Sequence, residues 1–202
     1  MIAILARYLA ALGAPDPAPV RKRSDHFADV PLVNHFGERL RFRGHFLDGR
    51  ALIVNTMYTV CRGTCPGTSA TLRGLRETLS PVFGDRLTIL SITLTPADDT
   101  PAVLRRYASL YGAGRRRPDL CDWQFVTGRP DDVDRLRRSL GFYDLNPRVD
   151  ADVTQHAELL LFGNSTSDRW SALPASLRAP LLVESIRRVA GFTPEQKYGI
   201  RA

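Results

Sequence analysis

Two apolar runs, ALIVNTMY at residues 51–58 and LTILSITL at 87–94, set most of what this chain can fold into. A strand with one wet face alternates apolar and polar residues. A run that is apolar at nearly every position has to be covered on both faces. Between them, Ser69 to Leu79 places Leu72, Leu75 and Leu79 at helical spacing and stops at Ser80-Pro81, so the unit reads strand, helix, strand.

The flanking segments extend this pattern. Phe27 to Val33 and Leu40 to Phe42 alternate around Asn34 and Gly37, which predicts an N-terminal β-hairpin. Asp99-Thr100-Pro101 reads as a cap with proline in the first turn, opening a helix through Leu104, Tyr107 and Leu110. Asp131 to Leu140 is a further helix, Ala157 to Phe162 a strand, Gly163-Asn164-Ser165 a turn, and Pro174 to Val189 a closing helix. The expected class is α/β, with a central mixed β-sheet flanked by helices.

Three segments divide the chain. Residues 1–25 hold the apolar stretch MIAILARYLAALGA and then a Pro/Ala tether with Pro15, Pro17 and Pro19. About thirteen residues at ~1.5 Å each fall short of a ~30 Å hydrocarbon core, so the stretch reads as part of an export signal or anchor, or as a short amphipathic helix. Residues 26–191 form the folded domain and 192–202 a tail. The net charge of +7 raises nucleic acid as a partner. All but two of the 28 basic residues are arginines scattered through helices, and no aromatics interleave with them, so nucleic acid is set aside. Arg115-Arg116-Arg117, between Gly114 and Pro118, reads as a solvated loop.

The chemistry concentrates in CRGTC, Cys61 to Cys65, which follows the first buried strand and is itself followed by Pro66. At a strand-to-helix junction the helix N-terminus favours an anion, which lowers a thiol's pKa and populates the thiolate. The pair can form a disulfide, act as a redox couple, hold part of a metal site, or be two small buried side chains. Structural zinc asks for four N/S ligands, and a second pair is missing. Copper(I), soft and content with two or three ligands, needs only two sulfurs and an imidazole. Cys121, in DLCDWQF at a strand entrance, reads as core. His26, His35 and His45 lie in N-terminal turns and strands. His156, just before AELLLF, stands evenly between a ligand and an ordinary strand-end residue.

YTVCRGTCP after a strand, ITLTPADDTP closing the next one, Trp123-Gln124-Phe125-Val126-Thr127-Gly128, and Gln155-His156 before an apolar strand together resemble the Sco/SenC family of copper chaperones for cytochrome c oxidase assembly. The resemblance spans His26 to Gly191. It implies a thioredoxin-like fold, one copper ion, Cu(I) or Cu(II), held by Cys61, Cys65 and His156, and an extracytoplasmic place on the periplasmic side of the membrane, tethered through the N-terminus. It also implies as partners the copper-site subunit of cytochrome c oxidase or another cuproprotein, and other copper carriers. The chain departs from the family at Thr95, where Asp usually precedes the proline, at Gln155 and Ala157 around the histidine, and at Arg62, Gly63 and Thr64 between the cysteines. Arg62 brings a positive charge that lowers thiol pKa and weakens the pull on a cation.

Two functions use the same residues. As a metallochaperone, the protein binds copper through Cys61, Cys65 and His156 and passes it on by ligand exchange. As a thiol-disulfide oxidoreductase, Cys61 and Cys65 form the redox pair, one attacking a target disulfide and the other resolving it. A purely structural staple ranks last, because so short a loop gains little chain-entropy stabilisation.

Overall fold

A computed structural model of the protein describes residues 22–61, 63–156 and 158–199. The expected hairpin is there, as β1 (Pro31–Asn34) and β2 (Arg39–Arg41), paired antiparallel with Leu32 opposite Leu40. Gly37 supplies the positive φ of 88° that its turn requires. Phe42, expected at the end of the second strand, instead opens a short helix, α1 (Phe42–Phe46), because both of its phenylalanines are drawn fully into the core.

The two apolar runs become β3 (Ala51–Met57) and β4 (Leu87–Thr93), parallel neighbours buried at every position. Helix α2 (Cys65–Phe83) connects them. It begins four residues earlier than the leucine spacing suggests, because Pro66 sits in the first turn, where its missing N–H has no partner to lose. Then follow α3 (Pro101–Leu110), β5 (Asp122–Thr127), α4 (Pro130–Ser139), α5 (Pro147–Ala151), β6 (Leu159–Asn164) and β7 (Arg169–Pro174). Last come α6 (Ala179–Ala190) and α7 (Pro194–Tyr198), the latter held by Arg187, which donates to the carbonyls of Gln196 and Glu195 at 2.7 Å each. The expected closing helix over Pro174 to Val189 is therefore shortened. Pro174 ends a strand paired with Leu159, and Pro180 occupies the first turn of the helix.

The seven strands lie in the order β2-β1-β5-β4-β3-β6-β7, with β3, β4 and β5 parallel and β1, β6 and β7 antiparallel to their neighbours. Alternate residues of the central strands feed two cores. Ala51, Ile53 and Met57 join Leu72, Trp123, Phe162 and Ile186 on one face, while Leu52 and Val54 join Phe42, Phe46 and Leu136 on the other. A polar chain runs across β5, β4 and β3 on the first of these faces. The indole N–H of Trp123 donates to the hydroxyl of Ser91 at 3.0 Å, and that hydroxyl donates to the side-chain oxygen of Asn55 at 2.7 Å. Among the described residues, no helix is long and apolar enough to cross a membrane. Residues 1–21, with the apolar stretch and the prolines of the tether, and Arg62, on which the expected charge effect at the thiols rests, lie outside the described residues.

Candidate metal centre

The first-turn register of α2 decides where its cysteine points. Leu79, Leu75 and Leu72 continue back through Thr68 to Cys65, one buried stripe, so the Cys65 sulfur is turned inward and the residue is 1% exposed. Cys61 lies in the loop before the helix and is half-buried. His156 arrives from the other side. Strand β6 runs antiparallel to β3, with Val54 opposite Leu161 and Ala51 opposite Asn164. Extending that register past the start of β6 sets His156 across from the residues that lead into Cys61. A 3₁₀ turn over Val153–Gln155, capped by the Asp152 side chain on the Thr154 N–H, delivers the histidine there.

The three side chains expected as a set do come together. The donor atoms of Cys61, Cys65 and His156 lie within 4.8 Å of one another. The Sγ of Cys65 is 3.3 Å from Nε2 of His156, hydrogen-bonding distance for a sulfur. The ring of Tyr58 stands edge-on to the imidazole, 5.9 Å between centroids. Both thiols are free, and the donor set of two sulfurs and one imidazole nitrogen suits a soft ion.

The two thiols are not equivalent, which corrects the expectation of a uniformly lowered pKa at the helix start. Burial pushes the Cys65 thiol up to about 12, and the neighbouring Cys61 sulfur adds to the effect. For Cys61, burial also acts upward but is outweighed by hydrogen bonds from the Cys65 thiol and backbone, the Tyr58 hydroxyl and the Gly63 backbone, so its pKa is lowered. Tyr58, bonded to Cys61 and buried, has its hydroxyl pushed up to about 12. Of the metal-free pair, Cys61, the more accessible sulfur, is therefore the first to ionise.

The other candidates stand apart. Cys121 is fully buried just before β5, its N–H donating to the Ser80 hydroxyl at 2.8 Å and its carbonyl receiving Arg76 at 2.8 Å, as a core residue would. His35 and His45 are engaged elsewhere, against the Ala113 carbonyl and the Gln124 side chain. Arg116 and Arg117 lie on the surface, paired with Glu38 at 2.6 Å and Asp119 at 2.5 Å.

Two groups of the site were not singled out in the sequence. Tyr58 is the residue that ends the buried run, directly after β3 and three residues before Cys61, and that placement was the available signal. A cleft of about 310 Å³ opens beside His156, walled by Leu94, Val133, Phe142 and Val153, with Asp144 and Asp152 among its polar groups. Tyr143 and Leu145 near it, and Val60 beside Cys61, are exposed apolar side chains. The cleft draws on five separate segments, so no local pattern could announce it.

Comparison with known proteins places this geometry. The model of the SCO1/SenC family matches residues 19–191. A Stutzerimonas stutzeri protein named as a candidate copper-binding protein is 30% identical over 151 residues, 73% of this chain and 68% of that protein. Copper-bound ScoI of Bradyrhizobium japonicum superposes with a TM-score of 0.63 at 18% identity, covering 81% of this chain and 98% of that one. BsSco, described through a disulfide switch and as a member of the Sco family of cytochrome c oxidase assembly proteins, does so with a TM-score of 0.60 at 17% identity, covering 79% and 90%. The fold is thus the thioredoxin-like fold of the Sco proteins, and this chain belongs to the SCO1/SenC family.

Proposed function

We propose that the protein is a copper metallochaperone. It holds one copper ion through Cys61, Cys65 and His156 and hands it to a respiratory oxidase copper site, that of cytochrome c oxidase or of another cuproprotein. The observation that carries this reading is the convergence of two sulfurs and an imidazole nitrogen within 4.8 Å. Two thiolates and one neutral imidazole satisfy Cu(I), while neither zinc nor a hard cation is served by so few soft donors. Copper is cargo here. Cys61 supplies the first thiolate from the accessible side, and ion binding has to displace the proton of Cys65, whose thiol is otherwise held neutral.

Release by ligand exchange needs an open edge. Half-buried Cys61 and the cleft beside His156 provide one, where an incoming partner can bring its own ligands within reach. The relatives support the assignment through copper-bound ScoI and through the oxidase-assembly description of BsSco. The apolar stretch and Pro/Ala tether at residues 1–25 support a domain held near the periplasmic side of a membrane.

A second reading, thiol-disulfide exchange through Cys61 and Cys65, is favoured by the splitting of the two thiols into one lowered and one raised, the asymmetry of an attacking and a resolving sulfur. His156→Ala separates the two. The chaperone reading predicts loss of tight Cu(I) binding with disulfide exchange largely intact. Wild-type Cu(I) affinity in the variant would remove His156 from the site.

A further inference from the structure

The residue that fixes the cysteine loop is not among its ligands. Asp99 is 1% exposed, in the turn between β4 and α3, and four hydrogen bonds converge on its carboxylate. Oδ2 receives the backbone N–H of Thr59 at 3.2 Å, the hydroxyl of Thr93 at 2.5 Å and that of Thr95 at 3.1 Å. Oδ1 receives the hydroxyl of Thr59. The helix cap that Asp99-Thr100-Pro101 suggests is made by Thr100 alone, whose hydroxyl receives the Val103 N–H. Asp99 is thereby left for the loop.

We propose that Asp99 is a positioning residue for the copper ligands, clamping Thr59 so that the Cys61 sulfur stays within reach of Cys65 and His156; the inference rests on the copper reading of the site. The chain leaves β3 at Met57, and Cys65 is fixed at the start of α2, where the Thr68 N–H reaches the Thr64 carbonyl at 3.0 Å. Without the clamp, Thr59 loses the anchors of its backbone N–H and its hydroxyl, and the path from Met57 to Cys61 is left to the Cys61 N–H, which donates to the Tyr58 carbonyl at 3.3 Å. With it, Thr59 is held by both its backbone and its side chain two residues before Cys61, and only Val60, which is 76% exposed, stands between them. A buried carboxylate with four donors around it is costly to reorganise, so the loop reaches the ion already ordered. Thr95 takes part directly, which gives a use to the hydroxyl that stands here before Pro96.

The test compares Asp99→Asn, Thr59→Val and Thr59→Ser in the full chain. Cu(I) affinity is read by competition with bathocuproine disulfonate, and amide hydrogen exchange is read on the metal-free protein. A charge-assisted hydrogen bond is worth roughly tenfold or more in an equilibrium constant. Asp99→Asn should therefore weaken Cu(I) by about tenfold or more and Thr59→Val by about threefold or more. Both should speed exchange across residues 58–64 while leaving Leu52 to Val54 unchanged, and Thr59→Ser, which keeps both bonds, should match wild type. Affinities within about twofold of wild type in Asp99→Asn and Thr59→Val, or unchanged exchange in 58–64, overturn the proposal. Should Asp99→Asn fail to fold, Thr59→Val decides alone. Should wild type take up no Cu(I), the copper reading fails and the exchange data still decide the clamp.

Discussion

Replacing Asp150 by Asn probes how the segment that delivers His156 is held. The Asp150 side chain, 4% exposed, receives two guanidinium nitrogens of Arg137 at 2.7 and 2.9 Å, the N–H of Asp144 at 3.0 Å, and a bond from Arg138. These bonds, Arg137's above all, hold its carboxyl well below the usual carboxylate range even though burial acts the other way. Asn keeps one oxygen, so the Asp144 N–H and one Arg137 N–H are still received. The second Arg137 bond, the Arg138 bond and the charge facing two cations are lost. A charge-assisted bond contributes about 1.5–3 kcal/mol. The Arg138 side chain is 47% exposed, and screening reduces its share to about 0.5 kcal/mol or less. The expected loss at neutral pH is about 2–3 kcal/mol, a Tm lower by roughly 5–10 °C for a chain of this length. The pH dependence follows with a definite sign. The folded carboxyl titrates below its unfolded value of 3.8, so its contribution is complete above that value and is lost as pH falls through the folded one. Urea unfolding of wild type and variant should show the full gap at neutral pH, and a smaller one at pH ~3. A gap under about 1 kcal/mol at neutral pH, or one undiminished in acid, refutes the reasoning.

The thiols offer a second check. In the reduced, metal-free protein, iodoacetamide should modify Cys61 first, Cys65 far more slowly and Cys121 not at all, because only Cys61 combines a lowered pKa with access. Peptide mass spectrometry reads the order, and equal labelling of Cys121 would contradict it. His35 gives a third. Burial lowers its pKa, its Nδ1 receives the Phe125 N–H at 3.1 Å and its Nε2 faces the Ala113 carbonyl at 2.9 Å. Imidazole ¹⁵N shifts should therefore report a neutral Nε2–H ring at neutral pH, with stability declining as pH falls below the unfolded value of about 6.5. A charged ring there would be inconsistent with the fold.

How much was legible in the sequence depends on whether the signal was local. The apolar runs of β3 and β4 and the leucines of α2 are patterns of one element, and they mark the sheet's centre and the helix beneath the cysteines. The end of α2 that bears Cys65 was less legible, because Pro66 looks like a break until its place in the first turn is known. His156 needed the antiparallel register of β6 on β3, a non-local fact that periodicity does not contain and that the family resemblance stood in for. Asp99 illustrates the same limit. Its neighbours Thr100 and Pro101 made it look like a helix cap, while its partners are Thr93 and Thr95 at the exit of β4 and Thr59 from the loop after β3.

The central claim, one copper ion shared by two sulfurs and one imidazole, is tested most directly by copper-edge X-ray absorption on the protein loaded with Cu(I). The account predicts one copper per chain with two sulfur neighbours and one nitrogen neighbour, the nitrogen disappearing in His156→Ala. A wild-type spectrum showing sulfur alone, or one unchanged by removing His156, would contradict it.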